Sequence, residues 1–248
     1  MMVTIKKYLT TIFFCFLIIQ VYSQFRFDVE AGVVSTIYND VRIPGSGGTF
    51  VSLSDDFQSN PDLFARLSLG YRFGARSEVL GLYAPLQLTY KGSVGKEITF
   101  QDEVFLANTP IIATYKFNSY RVTYRYYLVT GEKFEFGVGL TAKIRDALIG
   151  MRGAGRESQK TDLGVVPLIN FSLRWNPTER FGLLFDGDAL AAPQGRAEDV
   201  LLAITCKFTE KSSLKAGYRI LEGGADNSTV YTFSMFHYGV LGVIIKLE

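Results

Sequence analysis

Histidine, tryptophan and cysteine are nearly missing from this chain of 248 residues, which has one His, one Trp and two Cys. No grouping of Cys, His and acidic residues has metal-ligand spacing, so no metal site and no cofactor are expected. A disulfide framework is ruled out as well: Cys15 lies in an N-terminal segment read below as removed, which leaves Cys206 alone. Long apolar runs are also missing. The stretch from Ile12 to Val21 falls short of the roughly 20 residues a membrane helix needs, and no later stretch approaches that length. Such a chain crosses a membrane with strands or not at all.

The N-terminus carries Lys6 and Lys7, then the apolar run, then Tyr22, Ser23 and Gln24, the layout of a secretory signal peptide with cleavage near Ser23. Phe13 and Phe14 precede Cys15, where a lipoprotein signal needs small residues. The expected division is a signal peptide over 1–23 and one domain over 24–248. Removing the segment takes two of the 26 basic residues and none of the 24 acidic ones, so the mature chain is neutral. The basic excess that hints at nucleic acid disappears, and export argues against that partner too.

What is present is period-two alternation, repeated along the chain and punctuated by turns. Leu63, Ala65, Leu67, Leu69, Tyr71 and Phe73 share one face, with Arg66, Ser68, Gly70 and Arg72 on the other. The same split recurs in Tyr120 to Leu128 and in Phe134 to Ile144. Ten candidate strands follow: 25–38, 62–74, 78–92, 109–129, 133–147, 162–175, 180–191, 199–208, 213–222 and 229–247. The fourth is overlong, and its apolar parity flips between Lys116 and Asn118, which predicts a bulge or an extra turn and keeps eight to twelve strands open. Tight polar turns at Gly74 to Glu78, Thr130 to Lys133, Asn176 to Glu179 and Thr209 to Ser212 alternate with longer segments. The fold class is therefore all-β, an up-and-down antiparallel barrel of about ten strands.

A soluble barrel turns its apolar face inward and a membrane barrel turns it outward. Phe73, Tyr126, Phe134, Trp175, Phe181 and Phe208 stand beside the tight turns on the apolar parity, as an interfacial girdle would. Gly32, Gly70, Gly81, Gly137, Gly139, Gly182 and Gly217 fall on the polar parity, where a crowded lumen needs room. With the short and long connections segregated to opposite rims, these signs favour a transmembrane barrel whose polar face is inside.

Parity then places Arg26, Arg66, Arg72, Lys91, Arg121, Arg125, Lys143, Arg145, Arg174, Lys207, Lys215 and Arg219 in the lumen, against Asp28, Glu30, Glu135, Asp186 and Asp188. Two readings follow. Either the charges pair across a filled interior, or the basic excess lines a narrow passage that favours anions.

An enzyme is the rival class. Asp186 and Asp188 share a face near the predicted loop rim, and with His237 they resemble the acid and histidine set of the omptin outer-membrane proteases, also ten-stranded. Met235 stands where that family has an acid, and His237 precedes Tyr238 and Gly239 rather than the His-x-Ser of a lipid A deacylase. The alternative function is thus a membrane-embedded hydrolase, acting on peptide or lipid, with Asp186, Asp188 and His237 at its rim. Pro44 to Gly48 reads as a flexible loop because it lacks the Gly-Lys-Ser/Thr ending of a phosphate loop. The turn-rich tracts "APQGRAED", from Ala192 to Asp199, and "LEGGADN", from Leu221 to Asn227, are the candidates for recognising an external ligand.

The signal layout through Ser23, the tracts "FNSYRVTYRYYL" and "FEFGVGLTAKIRDALIG", and the closing "YGVLGVIIKL" carry a resemblance. The chain resembles the uncharacterised outer-membrane β-barrel families of Gram-negative bacteria, within the porin-like superfamily. The chain ends Lys246, Leu247, Glu248, where such barrels usually end in an aromatic residue. The resemblance implies a barrel in the cell outer membrane. The partners it implies are outer-membrane lipid and lipopolysaccharide, the barrel assembly machinery, and a small anionic solute or external ligand.

Overall fold

The alternating tracts form strands throughout residues 24–193 and 195–247, which are the residues described by this computed structural model. The expected signal segment, 1–23, lies outside them. The strands are β1 (Gln24–Arg42), β2 (Val51–Ser52), β3 (Asp62–Phe73), β4 (Ser77–Ala84), β5 (Gln87–Gly92), β6 (Ile98–Phe100) and β7 (Glu103–Phe105). They continue with β8 (Ile111–Thr130), β9 (Phe134–Gly153), β10 (Arg156–Trp175), β11 (Phe181–Ala192), β12 (Gly195–Lys207), β13 (Ser212–Asp226) and β14 (Tyr231–Leu247).

Ten staves close into an antiparallel up-and-down barrel. Each pairs with its sequence neighbour, β4 and β5 forming one stave interrupted at Pro85 and Leu86, and β14 returns to β1 from Phe25↔Leu247 to Arg42↔Tyr231. Every expected strand falls on a stave. Closure pairs every stave with both neighbours through the body of the belt, the condition for putting strands in lipid, and only β10 and β11 part near its upper border, above Ile169↔Ala189. The four tight turns share one rim with Gln24 and Leu247, and Gly74 adopts the left-handed conformation its turn requires.

The belt around this barrel is apolar and exposed: Val122 is 61%, Leu140 71% and Leu241 66% accessible. Phe73, Tyr126, Phe134, Trp175, Phe181 and Phe208 stand exposed around the tight-turn rim, and Tyr83 stacks on Tyr120 at the opposite border, ring centroids 5.2 Å apart. A surface this apolar and continuous suits lipid rather than water.

β8 corrects one expectation. It runs unbroken through Lys116 to Asn118, and its odd residues face inward as far as Tyr127, from Ile111, Ala113 and Tyr115 to Ser119, Arg121, Thr123 and Arg125. Parity does not flip there; polarity does. Below Ser119 the inside is polar and the outside apolar, whereas above Asn118 the inside is apolar and the outside carries Thr114 and Lys116. The upper staves therefore stand clear of the lipid and are organised like a soluble barrel, with their apolar side chains inside. The one register irregularity in this strand lies lower, between Tyr127 and Val129.

Two loop segments fill that upper interior. Ile43, Val51, Leu53 and Phe57 come from the connection after β1, and Val94, Ile98, Phe100 and Phe105 from the β6–β7 hairpin region, all buried against Tyr90, Ile111, Met151 and Phe236. Each such side chain contributes roughly 1.5–3 kcal/mol on burial. Three of the longer segments between the tight turns, 148–161, 192–198 and 223–228, are largely strand: the β9–β10, β11–β12 and β13–β14 hairpins rise above the belt as sheet.

Candidate functional site: a charged floor and an outer chamber

Halfway down the lumen, two carboxylates each gather several cations. Glu30 accepts from Arg219 (2.8 Å) and Lys215 (2.7 Å) and lies 3.3 Å from the Arg66 Nε. Asp199 meets Arg66 (3.0 Å), Arg121 (2.5 Å) and Arg219. Arg121 also reaches Asp188 (2.7 Å), which accepts from the Thr141 hydroxyl (2.6 Å) and the Asn170 amide (2.9 Å). One layer lower, Arg125 binds Asp186 (2.7 Å) and Asn170 (2.8 Å), and Glu78 accepts from Tyr127 (2.7 Å) and lies near Arg26 and Arg125. Nearest the tight-turn rim, Glu135 holds Arg72 (2.9 Å) and Arg174 (3.2 Å).

Glycine makes this crowding feasible. A Cβ on Gly137 would stand 3.0 Å from the Arg125 side chain and 3.1 Å from the Tyr127 ring. Across the charged layer the free space is a cavity of about 70 Å³ lined by Arg26, Glu30, Arg121, Asp186, Asp199 and their neighbours.

The sequence-predicted lumen residues are placed as follows. Arg66, Arg121, Arg125, Lys143, Asp188 and Arg219 are buried inside; Arg72, Arg174 and Asp186 are partly so. Arg145 faces inward at the upper level and pairs with Asp162. Lys207 lies at the tight-turn end beside Glu210 (2.6 Å). Two assignments are corrected. Lys91 is exposed on the outer surface of β5, because the even residues of that stave, Leu88 and Tyr90, are the ones that face in. Gly81 likewise lies on the outer parity, between Val79 and Tyr83. Sequence reasoning missed Glu78 and Asp199 although both lie within the expected strands 78–92 and 199–208: Asp199 shares the inward parity of Lys207, and Glu78 falls on the parity opposite to Lys91, from which that stave's faces were assigned.

The acid and histidine set does not assemble. Asp186 and Asp188 point into the barrel and are held by arginines. His237 lies on the opposite, outward parity of β14, between the buried Phe236 and Tyr238, where its Nδ1 meets the Tyr218 hydroxyl at 2.5 Å. The carboxylates also sit at mid-depth rather than at the rim, paired with Leu201 and Asp199 of β12.

Above the charged layer the lumen opens into a chamber of about 820 Å³. Its walls include Tyr115, Phe117, Ile149, Leu221 and Phe236, with Lys143 and Arg145 toward its floor. Both tracts proposed for recognition contribute: Ala192, Gly195, Arg196 and Ala197 from one, Leu221 and Gly223 to Ala225 from the other. Burial pushes the Tyr115 phenol up to about 12, and its hydroxyl bonds Ser234 at 2.9 Å. Burial likewise raises Tyr90, which bonds Thr36 and Asn39. The hydroxyls of the upper interior therefore stay neutral at physiological pH.

A closed ten-stranded barrel with an apolar belt, an aromatic girdle and a charged interior defines the class: the fold is that of the Gram-negative outer-membrane β-barrel proteins. Among solved structures the chain is similar to the outer membrane protease OmpT from Escherichia coli, with a TM-score of 0.56, 10% identity, and coverage of 90% of this chain and 97% of that one. Looser similarities include Ail, the attachment invasion locus protein of Yersinia pestis (TM-score 0.40, 12% identity, 90% and 99% covered), and an outer membrane channel from Pseudomonas putida F1 (0.42, 12%, 90% and 95%). No family model and no curated protein matches the chain.

Proposed function

We propose that the protein is an outer-membrane barrel, exported by its N-terminal segment, that binds a ligand in its outer chamber and does not conduct solutes. The observation that carries this reading is the charged layer. The carboxylates Glu30, Asp199, Asp188, Asp186, Glu78 and Glu135 between them engage Arg26, Arg66, Arg72, Arg121, Arg125, Arg174, Lys215 and Arg219, and leave a void of only about 70 Å³. That is room for a few waters. An anion passage needs cations free to meet the permeating ion, and each of these already has a carboxylate partner. Such pairing offsets the desolvation of charges in a narrow interior.

The chamber above is the complementary half of the proposal. It has the volume of a small-molecule site, mostly apolar walls and neutral hydroxyls. Reconstitution into planar bilayers tests the closed floor: the expected result is an absence of single-channel steps, and reproducible anion-selective steps from the wild-type barrel would sink the reading.

A further inference from the structure

The wall of the outer chamber is incomplete on one side. β10 pairs with β9 over its whole length, from Arg156↔Gly153 to Trp175↔Phe134. With β11 it pairs only from Ile169↔Ala189 downward. The β11–β12 hairpin ends at Ala192↔Gly195, while β9 and β10 continue upward. A notch is left between the upper half of β10 and the tip of that hairpin. Pro167, which has no N–H to donate, lies two residues beyond the last β10–β11 pair, where a strand edge tolerates it. Val165 and Pro167 border the chamber on one side of the notch and Leu190 and Ala192 on the other, so the cavity reaches the gap.

The height of the notch matters. Val165 pairs with Ile144, and Ile144 with Tyr120, the last outward apolar row on these strands. The next outward row is mixed, with Asn118 and Asp146 beside the exposed Leu163, and Lys116 from the row above it also binds Asp146. The opening therefore lies at the outer border of the lipid belt, where acyl chains give way to head groups.

Lys143 supplies the second observation. It is 2% exposed and lines the chamber. Its ammonium lies 4.5 Å from the centroid of the Phe117 ring, and among the described residues no carboxylate pairs with it. Its cross-strand neighbour Arg121 already occupies Asp188 and Asp199, Arg145 occupies Asp162, and Arg196 occupies Glu222. A buried cation with only an aromatic face beside it is incompletely compensated.

We propose that the chamber takes up a single-chain amphiphile bearing one acidic head group, which enters sideways through the notch and pairs its acid with Lys143. The proposal rests on the binding reading above and names the ligand class. The apolar walls receive the chain and the buried Lys143 the head, the other lysine of the lining unpaired among the described residues, Lys160, being half-exposed on the upper wall, and the volume suits one chain rather than a lipid with several.

The test embeds the full chain in nanodiscs whose bilayer carries a diazirine derivative of hexadecanoic acid or of the matching alcohol. On irradiation the acid should label tracts 143–149, 160–167 and 190–197. Lys143→Met should lower that labelling about tenfold, the effect of losing one charge-assisted partner. The alcohol should be unaffected, and Lys143→Arg should restore labelling by the acid. Heat-modifiable mobility shows whether each variant has folded; if Lys143→Met does not, the comparison of acid with alcohol on the wild type decides. Equal labelling by acid and alcohol, or acid adducts confined to belt residues such as Leu140 and Leu202, would overturn the proposal. Absence of chamber adducts from a barrel that still fails to conduct would overturn the amphiphile site and leave the closed barrel standing.

Discussion

Asp199 neutralises three guanidinium groups at once, those of Arg66, Arg121 and Arg219, and it is 2% exposed. Removing it leaves three buried cations short of a partner, so Asp199→Ala should lower the unfolding free energy by about 3–5 kcal/mol, the cost of breaking a buried pair, read from the urea midpoint in lipid. His237→Ala, which loses one contact with Tyr218 on the outer surface, should stay within about 0.5 kcal/mol. The phenol of Tyr115 gives a pH prediction. Its folded value of about 12 lies above the ordinary 10, so the stabilisation it lends the outer core is complete below about pH 10 and is lost as pH rises toward 12. Hydrogen exchange in the β6–β7 hairpin should accelerate across that window, and less so in Tyr115→Phe. At this scale the sequence was legible where a strand's parity was unambiguous, as for Arg66, Arg121 and Arg219. It failed at Lys91, where the polar and apolar faces exchange sides, and at Asp199, whose inward neighbours Leu201 and Ala203 are apolar and blur the face.

The ten staves were readable because alternation survives whichever face is apolar. What alternation does not carry is which side of the wall is wet. In β8 the inward set changes from Ile111, Ala113 and Tyr115 to Ser119, Arg121 and Thr123 with no change of backbone course. A flip in the sequence pattern therefore marked the lipid border rather than a bulge. Thr114 and Val122 share the outward face of this strand on opposite sides of that border. Thr114→Arg should be nearly neutral, whereas Val122→Arg should cost about 1–3 kcal/mol, between the values for a charge at the interface and one at the middle of the bilayer. Equal costs in a folding titration would place the border elsewhere. The long connections were misjudged for a related reason: glycine-rich, polar tracts such as 221–227 read as loops in a membrane frame but are ordinary strand above the membrane.

Taken as a whole, the molecule is a membrane barrel below and a water-exposed barrel above, with ionic pairing in one half and apolar packing in the other. Unheated in dodecyl sulfate, the folded chain should migrate as a compact species and shift on boiling, as closed barrels do; a mobility independent of heating would contradict closure from β1 to β14. The overall shape was legible, since alternation, turn placement and aromatic position agree on it. The outer chamber was not, because its notch depends on unequal hairpin heights that no local pattern encodes. The ion pairs of the floor also constrain how such a barrel comes into being. Arg66 and Asp199 are separated by 133 residues in the chain and Arg219 and Glu30 by 189, so neither pair can form on a growing, open sheet. Glu30 with Arg66, Asp199 with Arg219 and Glu135 with Arg174 can meet on adjacent strands, but the contacts that tie one wall to the other wait until the last strands meet the first. Ring closure therefore completes the ionic network, and a half-assembled sheet carries its arginines into the membrane with only part of their counterions.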